Sequence, residues 1–134
     1  MTNANDKAVS LTFRGLEVDP STVEQMLGLH ASESGKAGAP VRVGIKTPLK
    51  RSFASFSMNL DQETRLDQVI PLLLDHLGGV AKVTAAYQAV MPEFFELNII
   101  WPVKSSDEQE GGFLPPSAIS DLASLRCTLT FAFL

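Results

Sequence analysis

Apolar and polar residues alternate with a period of two in several short stretches of this chain. Such alternation is typical of strands that have one buried side and one exposed side. In residues 53–60, for example, the side chains of Ala54, Phe56, Met58 and Leu60 all point to one side. The same argument predicts further strands at residues 9–13, 41–45, 94–101 and 127–133.

Between these stretches, apolar residues recur every three or four positions, which predicts amphipathic helices at residues 20–27, 67–77, 80–90 and 116–125. Asp19-Pro20 and Gly28 bound the first helix, because Asp accepts hydrogen bonds from unpaired helical N–H groups and Gly commonly ends helices. Pro71 falls near the first turn of the second helix, where its missing N–H costs little. Residues 29–40 are rich in Gly, Ser and Ala and are predicted to form a loop.

The predicted element order is strand, helix, two strands, a helix pair, strand, helix and strand. This order indicates an α+β fold in which helices cover one face of a mainly antiparallel sheet. Its first six elements follow a ferredoxin-like βαββαβ order, extended by a C-terminal helix–strand unit. We expect the strands at 94–101 and 127–133 near the middle of the sheet, because they hold the densest apolar runs. Residues 1–7 are predicted to form a flexible tail, and residues 8–134 a single domain.

Composition narrows the class of protein. The 134 residues are 45% hydrophobic and 19% charged, with a formal net charge of −4. These values indicate a globular chain and argue against nucleic-acid binding over the whole surface. One cysteine excludes an internal disulfide. The polar N-terminus does not resemble a signal peptide, and no apolar stretch is long enough to span a membrane. We therefore expect a cytoplasmic protein.

Few side chains are spaced for catalysis or metal binding. His30 and His76 lack the spacing of a zinc site, and Cys127 alternates with apolar residues as a small core residue would. The acidic cluster Asp107, Glu108 and Glu110 lacks the spacing of a calcium loop. We predict no metal site, no cofactor and no catalytic residue from sequence alone. If the protein is an enzyme, His76, Tyr87 and Glu96 are the first candidates.

Basic residues are concentrated in one segment. Residues 36–51 contain five basic residues and no acidic residue, and we call this set the basic run: Lys36, Arg42, Lys46, Lys50 and Arg51. The rest of the chain has a net charge of −9, from six basic and fifteen acidic residues. The basic run is the predicted binding site, either for an acidic partner or for a nucleic-acid backbone. The alternative is that these charges only protect a sheet edge from aggregation.

Several features together resemble a family of uncharacterised bacterial proteins, domain of unknown function 4279. They are the Asp19-Pro20 helix start, Leu27-Gly28-Leu29, the Ser/Lys/Gly loop, the Leu-rich central helix and Gly111-Gly112-Phe113. The similarity extends from about residue 9 to the end. The family often has Pro-Thr where this chain has Ala31-Ser32. It also often has a tryptophan in the third strand, where this chain has Phe53 or Phe56. The resemblance implies a small α+β domain and no established catalytic residues. Some small domains of this general kind serve as immunity or defence proteins.

These observations favour a non-enzymatic interaction module that binds a protein partner, for example an immunity or defence-associated protein. Two alternatives stay open. One is binding of nucleic acid or another polyanion through the basic run, and the other is a small enzyme of unknown reaction.

Overall fold

The computed structural model describes residues 6–39, 49–103 and 112–134, which form five strands and four helices. The strands are β1 (Lys7–Arg14), β2 (Glu33–Gly35), β3 (Phe53–Leu60), β4 (Phe94–Trp101) and β5 (Thr128–Phe133). The helices are α1 (Ser21–Leu27), α2 (Leu66–His76), α3 (Val80–Val90) and α4 (Pro116–Leu125).

The five strands form one sheet in the order β2-β3-β1-β4-β5. β1 lies at the centre and pairs antiparallel with both β3 and β4, and β2 pairs antiparallel with β3. β4 and β5 pair in parallel, with α4 as the crossover that a parallel pair requires. The fold is therefore α+β with a mainly antiparallel sheet, as predicted. β3 lies between β1 and β2, which is a split βαβ arrangement and is compatible with the ferredoxin-like element order.

The helices and the sheet share one hydrophobic core. On β1, the core-facing side chains are Val9, Leu11 and Phe13, which are almost completely buried. Phe13 lies at the centre of an aromatic cluster, with its ring 6.1 Å from that of Phe56 and 4.8 Å from that of Phe95. The residues that alternate with these core-facing residues along each strand point away from the helices. We call this second side of the sheet the open face, because its side chains are mostly half-buried or exposed.

The ends of α1 follow the predicted local chemistry. The Ser21 N–H donates a hydrogen bond to the Asp19 carboxylate at 2.9 Å. Gly28 adopts a left-handed conformation with φ of 68°, and its N–H donates to the carbonyl of Glu24. α2 begins one residue before its predicted start, so Pro71 lies inside the helix and not in its first turn. A proline at that position removes one helical hydrogen bond.

Three predictions need correction, and two others concern residues outside the described part of the chain. The predicted loop at 29–40 contains β2, which pairs with β3 through its backbone; Glu33-Ser34-Gly35 has no apolar alternation because it is an exposed edge. β5 is an edge strand, since β1 already occupies the other side of β4. Lys7 belongs to β1 and not to a tail. The predicted strand at 41–45 and the acidic cluster at 107–110 lie outside the described residues.

Lys7 is buried and holds the start of β1 in place. Its Nζ donates to the carbonyl oxygens of Gln62 at 2.6 Å and Thr64 at 2.7 Å. The same ammonium group lies 4.4 Å from the centroid of the Trp101 ring. Hydrogen bonds and an aromatic face thus replace the water that a buried ammonium group loses. One side chain therefore ties β1 both to the link between β3 and α2 and to the end of β4.

Within the described residues, no single helix is long and apolar enough to cross a membrane. Only α2 and α3 taken together, bent by 65°, have sufficient length and apolar composition.

Candidate interaction surface

The most distinctive group of side chains on the open face is a row across three strands. Arg14, the last residue of β1, pairs with Phe53 of β3 on one side and with Phe94 of β4 on the other. We call Phe53, Arg14 and Phe94 the arginine–phenylalanine row. Phe94 is 42% exposed, and Phe53 is half-buried. The row arises from register, because paired residues on neighbouring strands point to the same face.

A second arginine reinforces the row. Arg51 Nε and Nη2 donate to the two carboxylate oxygens of Glu93, at 3.1 and 3.3 Å, which is a forked ion pair. The guanidinium carbon of Arg51 also lies 5.1 Å from the centroid of the Phe94 ring. The hydrogen bond from Arg51 lowers the pKa of Glu93 below its usual value. Arg51 is thus held in one position beside an exposed aromatic ring.

Gly15 explains why Glu93 lies within reach of Arg51. The Glu93 N–H donates to the carbonyl of Gly15 at 3.2 Å. Gly15 has φ of +79°, and a Cβ atom there would lie 2.4 Å from the Glu93 Cβ. Only glycine combines this backbone conformation with so close an approach. The turn after β1 therefore positions the acidic partner of Arg51.

Arg14 also has an acidic neighbour. Its Nη1 lies 3.1 Å from Oε1 of Glu96, which projects from β4 on the same face. This oxygen is shielded from solvent and has no hydrogen-bond donor among the described residues, so the contact is a charge interaction and not a well-aligned hydrogen bond. Further along the face, hydroxyl groups pair across strands, with Thr12 Oγ1 2.9 Å from Ser55 Oγ. The face beyond the row therefore combines the charged side chain of Glu96 with neutral hydroxyl groups.

Two shallow cavities flank Arg51. One, of about 380 Å³, is lined by Arg14, Glu33, Leu49, Lys50, Arg51 and Phe53. The other, of about 430 Å³, shares Lys50 and Arg51 and includes Glu17, Glu93 and Met91. Across both cavities, three basic residues face three acidic residues. The surface is mixed in charge and is not a positive patch.

The structure places the described residues of the basic run in two different locations. Lys50 and Arg51 line both cavities beside the row. Lys36 is elsewhere: it follows β2 and forms an ion pair with Asp19, with Nζ 2.6 Å from the carboxylate oxygen. The bond with Lys36 is the main reason that the pKa of Asp19 falls to about 2. Arg42 and Lys46 lie outside the described residues. Two cations of the basic run, Lys36 and Arg51, are therefore each paired with an acidic side chain of the same chain.

The three residues named for an enzyme do not come together. His76 is exposed at the end of α2. Tyr87 projects from α3 toward the core side of the sheet, where its ring is 4.9 Å from that of Phe95. Glu96 lies on the open face. The sheet itself thus separates Tyr87 from Glu96, and this set cannot act as one catalytic group.

Cys127 is half-buried and packs against the core. Burial raises the pKa of its thiol, which lowers the fraction of reactive thiolate. The expectation that its strand lies near the middle of the sheet is wrong, because β5 is at the edge, where Phe131 and Phe133 are exposed. Among the described residues, no three His, Cys, Asp or Glu side chains are grouped so that they could hold a metal ion.

Sequence reasoning missed most of this surface. Arg14 directly follows one predicted strand and Phe94 begins another, and nothing local shows that they are neighbours. The local signal that was available is Gly15, since a glycine directly after a strand often marks a turn or a close backbone approach.

Comparison of the chain with family models, curated proteins and solved structures finds no match, so the resemblance to the family of uncharacterised bacterial domains stays a prediction.

Proposed function

We propose that this protein is a non-enzymatic interaction module that binds a protein partner through the arginine–phenylalanine row and Arg51. The observation that carries the proposal is the exposed Phe94 ring, which lies beneath Arg51 and beside Arg14 on the neighbouring strand, with both arginines paired to carboxylates. Aromatic residues and arginine are enriched in protein interfaces and dominate their binding energy. An immunity or defence role is the form of partner binding that the family resemblance suggests.

Preorganisation supports this surface as a binding site. A long side chain such as arginine normally loses rotamer freedom when a partner immobilises it. Arg51 is already restrained by its fork to Glu93 and by the Phe94 ring. A partner that uses Arg51 would therefore pay less of that entropy. The fork still leaves guanidinium N–H groups to donate to a carbonyl or carboxylate of the partner.

The charge balance favours a protein over a polyanion. Binding of nucleic acid derives much of its strength from lysines and arginines that neutralise phosphates. Here three acidic side chains line the same cavities as the three basic ones, and would repel a phosphate backbone. A protein surface can match such alternating charges one by one. Polyanion binding is therefore the alternative hypothesis, and the test below distinguishes it from protein binding.

The test is affinity capture from lysate of the source cells, followed by identification of the retained proteins and a direct binding measurement with each purified candidate. Phe94→Ala removes the exposed ring of the row. Phe113→Ala is the matched control, because Phe113 is 63% exposed and lies outside the row. We expect Phe94→Ala to weaken binding of a specific partner at least tenfold, as loss of an interface hot spot does, while Phe113→Ala binds normally.

Equal binding by both variants and wild type would refute the assignment of this surface. Retention of oligonucleotides with a steep salt dependence, lost in Lys50→Glu, would replace the protein partner with a polyanion.

A further inference from the structure

The outer edge of β5 lacks the protection that sheet edges usually carry. Native proteins shorten their edge strands or place charges, prolines or bulges on them, because unpaired backbone groups recruit other strands. At the opposite edge, β2 has only three residues, includes Glu33 and is followed by Lys36. β5 has six residues, with no charge and no proline, and no described strand pairs with its outer side.

Apolar side chains accumulate beside this edge. Phe131 and Phe133 stack with ring centroids 5.3 Å apart and planes inclined by only 4°. They are 37% and 58% exposed, respectively. Together with Trp101 and Phe113 they line an apolar cavity of about 350 Å³. This exposed aromatic surface lies at the end of β4 opposite to the arginine–phenylalanine row.

We propose that β5 pairs antiparallel with β5 of a second copy of this chain, so that two five-stranded sheets become one sheet of ten strands. The interface would be self-complementary, as a two-fold dimer requires. Residues directly opposite in an antiparallel pair point to the same face. A two-fold axis at Phe131 therefore places Phe131 against Phe131 and Leu129 against Phe133, and buries aromatic and aliphatic groups together.

The absence of charge along β5 makes this edge compatible with the same edge of a second copy. Two chains of net charge −4 repel each other overall, but residues 127–134 contain no charged side chain, so no like charges are brought together along the paired strands. Backbone hydrogen bonds and apolar contact then provide the attraction. Salt screens the general repulsion without weakening these contacts. Dimerisation should therefore strengthen as salt rises, whereas binding through a charged surface weakens.

The experiment is sedimentation velocity on the purified full chain over a concentration series at low and high salt. We expect wild type to show a monomer–dimer equilibrium that shifts toward dimer at high salt. Phe131→Glu and Phe131→Lys each place like charges on the axis and should weaken the dimer at least tenfold. An equimolar mixture of these two variants should restore association, because opposite charges then meet.

Ile119→Glu is the matched control, since Ile119 is 54% exposed and belongs to α4 and not to β5. It should dimerise like wild type. If either Phe131 variant unfolds, as judged by circular dichroism, Phe133→Lys replaces it because Phe133 is more exposed. A wild-type monomer throughout the series, a dimer insensitive to both edge positions, or a dimer equally weakened by Ile119→Glu would each overturn the proposal. None of these outcomes bears on the arginine–phenylalanine row, so the two proposals fail separately.

Discussion

Arg51 and Glu93 form a forked ion pair although 42 residues separate them in the sequence. The fork joins Arg51, two residues before β3, to Glu93, the residue just before β4. These two strands are not neighbours, because β1 lies between them. The pair therefore spans the end of β1, where Arg14 lies, and holds Arg51 in place beside the arginine–phenylalanine row.

Replacing Arg51 with lysine should weaken partner binding more than it weakens the fold. Lysine keeps the charge but cannot form the fork or stack on Phe94. Arg65→Lys is a close control, because Arg65 forks onto Asp67 with the same distances of 3.1 and 3.3 Å, outside the proposed surface. We expect similar unfolding midpoints in urea for both variants and a loss of binding only for Arg51→Lys. A comparable loss in Arg65→Lys would show that the effect is not local to the row.

Replacing Lys7 with methionine should destabilise the protein substantially. The change preserves much of the side-chain length but leaves the carbonyls of Gln62 and Thr64 without the donor they have now. A buried acceptor left unpaired costs about 1–3 kcal/mol. Equilibrium urea unfolding should show a decrease in the free energy of unfolding of that order. Lys82→Met, at an exposed position on α3, should change it by about 0.5 kcal/mol or less. If Lys7→Met changes the free energy of unfolding no more than Lys82→Met does, the Lys7 ammonium group does not stabilise the fold.

The carboxylate of Asp19 should titrate at unusually low pH. Its pKa is lowered to about 2, first by the bond from Lys36 and then by the Ser21 N–H. Because the folded-state pKa lies below the unfolded value of about 3.9, this carboxylate favours the folded state above pH 4. That contribution is lost as pH falls from about 4 toward 2.

NMR titration of the Asp19 side-chain carboxyl carbon measures this pKa directly. Lys36→Met should raise it, but not to the ordinary value, since the bond from Ser21 remains. Lys50→Met serves as the control, because Lys50 is not among the groups that lower the pKa of Asp19. An Asp19 pKa unchanged by Lys36→Met would contradict the ion pair.

The sequence predicted β3 and the ends of α1 to within one residue because those features depend on local chemistry. The buried side of β3 follows from strict alternation, and α1 begins directly after Asp19-Pro20 and ends at Gly28. Local chemistry does not reveal what covers a strand. The apolar residues of β5 alternate as those of a central strand do, yet Phe131 and Phe133 lie at an edge that no described element covers. β2 was missed for the opposite reason, since an exposed three-residue edge needs no apolar pattern.

The candidate surface depended on information that is not local. The basic run was correctly noted as a concentration of charge, but its cations find acidic partners from distant parts of the chain. Asp19 pairs with Lys36, and Glu93 pairs with Arg51. The row itself exists only once β1 is in register with both β3 and β4. Side-chain composition therefore indicated the segment, whereas strand pairing determined which residues meet.

The central position of β1 also affects how the chain folds while it is synthesised on the ribosome. β1 is synthesised before the other described strands, yet Arg14 pairs with Phe94, which follows 80 residues later (94 − 14). At about 5–20 residues per second, that interval lasts about 4–16 s. During this time the edge of β1 that pairs with β4 lacks this partner. Ribosome-arrested chains that end before β4 should therefore be more sensitive to protease in β1 than chains that include it.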